Sequence, residues 1–402
     1  MDVQEIREDF PILKDVIYLD SASTSLTPEP VLEAVLDYYR SYKANVGRGV
    51  YQMAQLADQR YRDAHRKVAD FVGGGESKGM TVFTRNTTES INIVARGMLW
   101  KKGDRIVTTL AEHHSNLLPW MRLREKGVEL QVIKPDKTGM LDLADYEKAI
   151  TKGTRLVAAS QLSNALGTVL PVKEISKICR ERGAALLVDG AQSVPHMPVD
   201  VKDIDCDFLC FSGHKMLAPM GTGVLWIKKE GEVEPLLVGG GMVQDVGDLH
   251  EGGYEIKKGY EGYEAGTPDI SAGIGLGAAV DFLNQLGMEE IHNHERKLTG
   301  KLLEGLQEIK GVDVYGPGLE EGERKRGGVV SFAVEGLLPH EVALMLDRAS
   351  SIAVRSGHHC CIPLMKHLGL KYGTVRASLY LYNSEDEIEK LLTTVEQIAK
   401  MT

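Results

Sequence analysis

The sequence predicts an α/β protein: a mostly parallel sheet with helices on both faces, followed by a smaller α+β domain. Three observations carry this. Between residues 80 and 227, short apolar runs alternate with helix-length segments, and such alternation builds parallel strands through crossover helices. Polar loops stand at the carboxyl ends of those runs, the edge at which open parallel sheets bind ligands. After Gly316-Pro317-Gly318 the order changes to strand, helix, strand, loop, helix. A chain of 402 residues also exceeds one small core. The expected division is a large domain over 16–290 and a small one formed by 1–15 and 291–402.

Taken in order, residues 1–14 read as a short helix with Val3, Ile6, Phe10 and Leu13 on one face. A strand over 16–20 ends in Ser21-Ala22-Ser23-Thr24-Ser25. Pro28 and Pro30 open a helix that runs to residue 39. Residues 44–50 form a glycine-punctuated loop, and a charged helix over 54–72 stops at Gly73-Gly74-Gly75. Strands are then expected at 80–84, 105–109, 129–133, 155–160, 185–189, 208–211 and 223–227. Helices at 87–99, 117–126, 142–150 and 172–182 separate the first five. The glycine-rich stretch 237–268 reads as a long loop or hairpin lying over the site or against a neighbouring subunit. Helices follow at 273–286 and 288–309. The small domain continues with a strand at 328–334, a helix at 339–350, a strand at 352–355, a loop and a helix at 385–401.

Composition excludes several function classes. Lys and Arg number 47 against 57 Asp and Glu, a net charge of −10, so a basic nucleic-acid footprint is not expected. No apolar run approaches the roughly 18–20 residues that cross a bilayer. The N-terminus MDVQEIREDF has no signal-peptide core. Five cysteines without regular spacing make no disulfide framework. A reducing cytoplasm is the expected compartment.

The chemistry gathers at the polar tips. The run 207–215 is a short apolar strand ending in Ser212-Gly213-His214-Lys215. A lysine directly after a buried strand is either an ordinary surface cation or an amine made nucleophilic by desolvation. On the second reading Lys215 forms a Schiff base, with pyridoxal phosphate (PLP) as its partner. Asp189 ends another strand; it either pairs with a protonated pyridine nitrogen or caps the next turn. Thr87 and Thr88 open a helix, where hydroxyls, backbone donors and the dipole suit a phosphate and equally suit a plain N-cap. One of His113 and His114 can stack on an aromatic ring. As adjacent residues they make a poor metal chelate, and no metal site is expected. Arg376, with Arg355 assisting, offers a guanidinium fork for a substrate carboxylate or a structural ion pair. Cys360 lies in the polar loop Ser356-Gly357-His358-His359-Cys360-Cys361, a setting that suits a thiolate nucleophile. Inertness, pairing with Cys361 and zinc ligation are its rivals, although zinc cysteines are usually spaced by two or more residues. Cys179, Cys206 and Cys210 sit in helix or strand patterns and read as core residues.

Together, Thr87-Thr88-Glu89, Glu112-His113-His114, Ser163-Asn164, Val188-Asp189-Gly190-Ala191-Gln192, Phe211-Ser212-Gly213-His214-Lys215, Glu264-Ala265-Gly266-Thr267-Pro268, Arg355-Ser356-Gly357-His358-His359-Cys360 and Arg376-Ala377-Ser378 resemble the class V aminotransferase-fold PLP enzymes. Within them the chain is similar to the SUF-type (group II) cysteine desulfurases and selenocysteine lyases, from about residue 5 to the end. The resemblance implies the PLP-dependent transferase fold type I, with a seven-stranded-type sheet. It implies a catalytic set of Lys215, Cys360 and His113, with Lys215 bound to PLP and His113 stacked on the ring. Asp189 would pair with the pyridine nitrogen and Gln192 with the phenolic oxygen. Thr87, Thr88, Ser212 and His214 would hold the phosphate. Thr267 would reach the phosphate of a partner subunit, which implies a homodimer. Asn164 and Arg376, with Arg355 nearby, would hold the carboxylate of L-cysteine or L-selenocysteine. Cys360 would take the sulfur as a persulfide and pass it to an acceptor or iron–sulfur scaffold protein.

Two departures from the family pattern bear on this. Where the family usually has His-Arg-Gly-x-His, this chain has Gly47-Arg48-Gly49-Val50-Tyr51 and lacks both histidines. Cys361 stands where the family usually has a small residue, as a spare thiol or as a partner that traps Cys360 in a vicinal disulfide. The leading expectation is an L-cysteine desulfurase supplying iron–sulfur cluster assembly. A selenocysteine lyase, an aminotransferase or epimerase of the same fold, and a non-catalytic sulfur carrier are the alternatives.

Overall fold

The central strands are apolar on both faces, and the architecture follows from covering both. In the computed structural model, which describes residues 1–75, 79–248, 252–318 and 326–401, the chain opens with α1 (Val3–Glu8), capped by the Asp2 carboxylate, and a 3-10 turn at Pro11–Lys14. The helix expected over 1–14 is therefore broken. Pro11 supplies no N–H and disfavours helical backbone at Phe10. Next come β1 (Ile17–Tyr18), α2 (Glu29–Ser41) and α3 (Gln52–Phe71). The alternating region holds β2 (Met80–Thr84), α4 (Thr87–Gly97), β3 (Arg105–Thr109), α5 (Leu118–Arg122), β4 (Glu129–Ile133), α6 (Leu143–Ala149), β5 (Thr154–Ser160), α7 (Val172–Arg182), β6 (Ala185–Asp189), α8 (Ser193–His196), α9 (Val201–Ile204), β7 (Phe208–Ser212) and β8 (Gly223–Ile227).

These strands form one seven-stranded sheet in the order β2-β8-β7-β6-β5-β3-β4. All pairs are parallel except those of β8, which runs antiparallel to both β2 and β7. Alternate side chains leave a strand on opposite faces. Thus Leu186 and Val188 of β6 join the core under α7, while Leu187 joins Phe208, Ile91 and Trp120 on the other side. Because helices cover both faces, these strands carry nearly continuous apolar runs instead of alternation.

The segment 237–268 contains an antiparallel hairpin, β9 (Val243–Val246) with β10 (Tyr254–Ile256), both largely exposed. Residues 249–251 lie outside the described residues. Helix α10 (Ile270–Leu286) packs on α2 and α3. Then come α11 (Met288–Glu308), β11 (Val312–Tyr315), β12 (Val329–Val334), α12 (Pro339–Ser350), β13 (Ile352–Ala353), β14 (Arg355–Gly357), α13 (Ile362–His367), β15 (Thr374–Ser378) and α14 (Glu385–Ala399). An antiparallel sheet β11-β12-β15-β14 forms the core of this unit with α11, α12 and α14. A Ser384–Glu387 capping box starts α14. Strands β11 and β15 and helix α13 go beyond the sequence expectations. All three are short, and Thr-Val-Arg-Ala-Ser of β15 has little apolar pattern to read.

The N-terminal stretch serves both units. Ile6, Phe10 and Leu13 pack in the core of the large sheet. Strand β1 pairs in parallel with β13, and Asp20 bridges to Ser378. Among the described residues, no helix is long and apolar enough to cross a membrane.

One glycine couples this fold to the site. A Cβ on Gly223, the first residue of β8, would lie 2.5–2.6 Å from the backbone N, Cα and C of Asn86, the residue that caps α4. Gly223→Ala should therefore push the α4 N-terminus off the sheet. The expected destabilisation is about 1–3 kcal/mol, read as a lower urea midpoint at unchanged slope. Gly239→Ala, where a Cβ meets open space, should leave the midpoint in place.

Candidate active site

A cavity of about 520 Å³ lies between the carboxyl edge of the large sheet and the small sheet. It collects loops from β2, β3, β5, β6 and β7 on one side and from β14 and β15 on the other. Lys215 closes a 3-10 turn, Gly213–Lys215, directly after the fully buried β7. Gly213 makes the turn feasible: a Cβ there would meet Thr222 Oγ1 at 2.1 Å. Burial pushes the Lys215 amine down to about 8; the Arg376 charge adds to this, and Asp189 opposes it. A lysine with so low a pKa keeps a substantial neutral, nucleophilic fraction near physiological pH.

Asp189 ends β6 with Oδ1 accepting the Ala191 N–H at 3.0 Å. Burial raises its pKa, against the lowering effects of that hydrogen bond and of Lys215. Gln192 donates Nε2 to the Ala22 carbonyl at 2.7 Å, while its Oε1 is buried with no hydrogen-bond partner. His113 follows β3, and its Nδ1 accepts the Ser115 N–H at 3.1 Å. Burial, then the Lys215 charge, pushes His113 down to about 4, and His214 reaches about 4 for the same reasons. Both rings are neutral near pH 7, with the His113 proton on Nε2.

The end of the cavity at α4 is rich in hydroxyls. Thr87 Oγ1 and Ser212 Oγ are 2.6 Å apart, and Thr88 Oγ1 and Ser115 Oγ 2.7 Å. Asn86 caps the helix by accepting the Glu89 N–H at 3.0 Å. His214 and Lys215 share this wall. Hydroxyls, a helix N-terminus and a lysine together form an anion site. The cavity thus offers a buried amine, a buried carboxylate, a neutral imidazole ring, an unpartnered buried amide oxygen and an anion pocket. That donor set fits PLP.

On the side of the small sheet, Arg376 of β15 is buried and Arg355 of β14 half exposed. Both meet Asp20: Arg355 at 2.9 Å and Arg376 at 3.3 Å. Ser23 Oγ accepts from both guanidiniums, at 2.9 and 2.8 Å. Arg376 also donates to the Asn164 carbonyl at 2.9 Å, and its Nε is buried without a partner. The register that places Arg355 opposite Arg376 is part of the β14–β15 ladder. Two facing cations beside one carboxylate leave guanidinium capacity for a second anion.

Cys360 is an exposed free thiol in the cavity wall, whereas Cys361 is fully buried. Cys361 Sγ donates to Asn164 Oδ1 at 3.3 Å, and burial raises its thiol pKa strongly. Cys361 is therefore a reduced, inward-facing thiol engaged with Asn164. His359 bonds Thr374 Oγ1 at 2.9 Å, and His358 bonds the Lys371 carbonyl at 3.0 Å. Cys179, Cys206 and Cys210 are buried, with thiols raised by burial.

The structure brings all but one of the residues singled out by sequence to this cavity. Thr87, Thr88, His113, Asn164, Asp189, Gln192, Ser212, His214, Lys215, Arg355, Cys360 and Arg376 all line it. Thr267 does not. It lies in a second cavity of about 340 Å³ with Gly47, Arg48 and Tyr51, 3.4 Å from Asn45 Nδ2. Sequence reasoning missed Asp20 and Ser23, which partner both arginines. Their only signal was a carboxylate at the end of a strand before small polar residues. It also gave no role to Glu112, which is fully buried and accepts from Thr109 Oγ1 (2.7 Å), Asn116 Nδ2 (2.7 Å), Ser160 Oγ (2.6 Å) and Ser160 N–H (2.9 Å). Burial pushes Glu112 up to about 7. It ties the loop carrying His113 to β5.

Against known proteins, the family described as aminotransferase class-V matches residues 17–391. A probable cysteine desulfurase of Pyrococcus abyssi is 48% identical over 403 residues, covering 99% of this chain and 98% of the relative. A probable cysteine desulfurase of Methanothermobacter thermautotrophicus is 46% identical over 406 residues, with 100% and 99% coverage. A solved apo structure of a cysteine desulfurase from Thermococcus onnurineus superposes with a TM-score of 0.94 at 47% identity, covering 99% of this chain and 98% of that one.

The lowered amine pKa has a measurable consequence. When apoprotein is incubated with PLP and trapped with borohydride, labelling of Lys215 should rise with pH and level off above about 8. An ordinary lysine would go on rising to about 10.4. Lys215→Ala should abolish the labelled peptide seen by mass spectrometry.

Proposed function

The chain belongs to the aminotransferase class-V family, and we propose that it works as a PLP-dependent L-cysteine desulfurase that makes alanine and a persulfide on Cys360. One observation carries the reading: a buried, neutralisable lysine and an exposed cysteine thiol line the same cavity, together with two arginines. PLP, when bound, supplies the electron sink that weakens bonds around the substrate α- and β-carbons.

The chain's own groups divide the remaining work. Lys215 Nζ would hold the cofactor and move protons at the substrate carbons. Asp189 would pair with the pyridine nitrogen and Gln192 with the phenolic oxygen. The neutral His113 ring would stack on the cofactor. Thr87, Thr88, Ser212 and His214 would hold the phosphate. Arg376, Arg355 and Asn164 hold the substrate carboxylate, with Asp20 and Ser23 orienting both guanidiniums. Cys360 Sγ attacks the substrate sulfur. An S–S bond forms as the C–S bond breaks, and the three-carbon skeleton leaves as alanine after protonation. Cysteine and one protein thiol thus yield alanine and one protein persulfide, with no external oxidant.

Two features support a homodimer with shared sites. Thr267 and Arg48 border a separate cavity, and Val50, Tyr51, Leu237 and Val238 are exposed beyond half of their surface. The exposure of Cys360 suits handing sulfur to an acceptor or iron–sulfur scaffold protein in the cytoplasm. L-Selenocysteine fits the same groups, and parallel kinetics on the two amino acids decide the preference.

Cys360→Ala tests the central assignment. It should keep the cofactor's visible absorbance and the spectral change on adding cysteine. Alanine and persulfide formation should fall at least about 100-fold, the scale of losing a group that acts in the chemical step. Undiminished alanine formation with a protein acceptor would remove Cys360 from the mechanism.

A further inference from the structure

The loop that presents Cys360 is held in a costly shape. His359 (φ 51°) and Cys360 (φ 55°) are both left-handed, a region that side-chain-bearing residues populate sparsely and keep only when their surroundings impose it. Two successive residues of this kind need external restraint.

The loop after β3 supplies it. The His114 N–H donates to the Cys360 carbonyl at 2.8 Å. The His114 Nε2 accepts the Ile362 N–H at 3.2 Å. One histidine therefore grips the chain on both sides of Cys361, once with backbone and once with its ring. Ile362 is the first residue of α13, so its N–H has no acceptor within the helix; the ring provides one. Accepting at Nε2 requires the neutral ring with its proton on Nδ1. Partial burial lowers the His114 pKa and favours that state. Asn164 adds a tether from the loop after β5, donating Nδ2 to the His359 carbonyl at 2.8 Å while accepting from Cys361 Sγ.

We infer that His114 is a positioning residue for sulfur transfer: its backbone N–H and neutral Nε2 clamp the left-handed Cys360 loop of the small domain onto the loop that carries His113. The inference rests on the desulfurase reading for its consequence, but the clamp itself is read from hydrogen bonds. Adjacent side chains thus serve two purposes. His113 faces the cofactor cavity, and His114 holds the thiol that acts there.

The test compares His114→Ala with His114→Gln in the holoenzyme, because a glutamine Oε1 can also accept the Ile362 N–H. In His114→Ala, amide exchange across residues 358–366 should quicken about 10-fold, the scale of one lost hydrogen bond. Single-turnover persulfide formation on Cys360, followed by mass, should slow about 10-fold or more on the same scale. Cofactor absorbance and half-saturation by cysteine should stay within about twofold, and His114→Gln should recover most of both losses. Unchanged exchange in His114→Ala, equal damage in both variants, or loss of cofactor from His114→Ala would each overturn the inference. If the parent enzyme forms no persulfide on Cys360, the desulfurase reading fails; the exchange measurement still decides the clamp.

Discussion

The site depends on burying one amine. Lys215 is carried out of water by β7, whose residues are all buried, and the glycine after the strand lets the turn close against β8. Desolvation penalises the charged amine, and its effects extend to its neighbours. The same burial and the residual lysine charge keep His113 and His214 neutral. Asp189, buried nearby, is raised by the same burial, which outweighs the opposing Ala191 hydrogen bond and the lysine charge. A cluster of groups with shifted and opposed protonation states is how one cavity holds an acid, a base and a nucleophile at one pH.

A second constraint joins the two halves. The arginines on β14 and β15 belong to the small sheet, yet their shared counter-ion, Asp20, follows β1. That strand pairs with β13, and the segment before it packs against the large sheet. Burying Arg376 without Asp20 would leave an unpaired charge in the interior, which is strongly unfavourable. The ion pair therefore ties the arginines of the small sheet to the segment that follows β1. Asn164 and His114 reach across to the Cys360 loop.

Much of this was legible in the sequence. The alternation from residue 80 to 227 revealed the parallel sheet because both of its faces are covered and its strands are simply apolar. Lys215, Asp189, Thr87 and His113 were legible because each stands at a strand's carboxyl end, a position that the alternation itself defines. Strand β15 was not, since Thr374–Ser378 is short and carries a buried arginine in place of an apolar run. The break in the first helix was signalled by Pro11 but outweighed by the apolar spacing of Ile6, Phe10 and Leu13.

Local chemistry marked which loops meet at the cavity, because side-chain type and strand position are written in the residues themselves. Tertiary structure decided the rest. Asp20 serves Arg376 from 356 residues away, and the His114 ring bonds Ile362 across 248. Of two adjacent cysteines in one loop, the structure exposes Cys360 and buries Cys361. Sequence spacing does not record which way a left-handed loop turns its side chains. Only the contacts that hold the loop in that shape set the direction, and those of His114 and Asn164 come from segments 248 and 195 residues away.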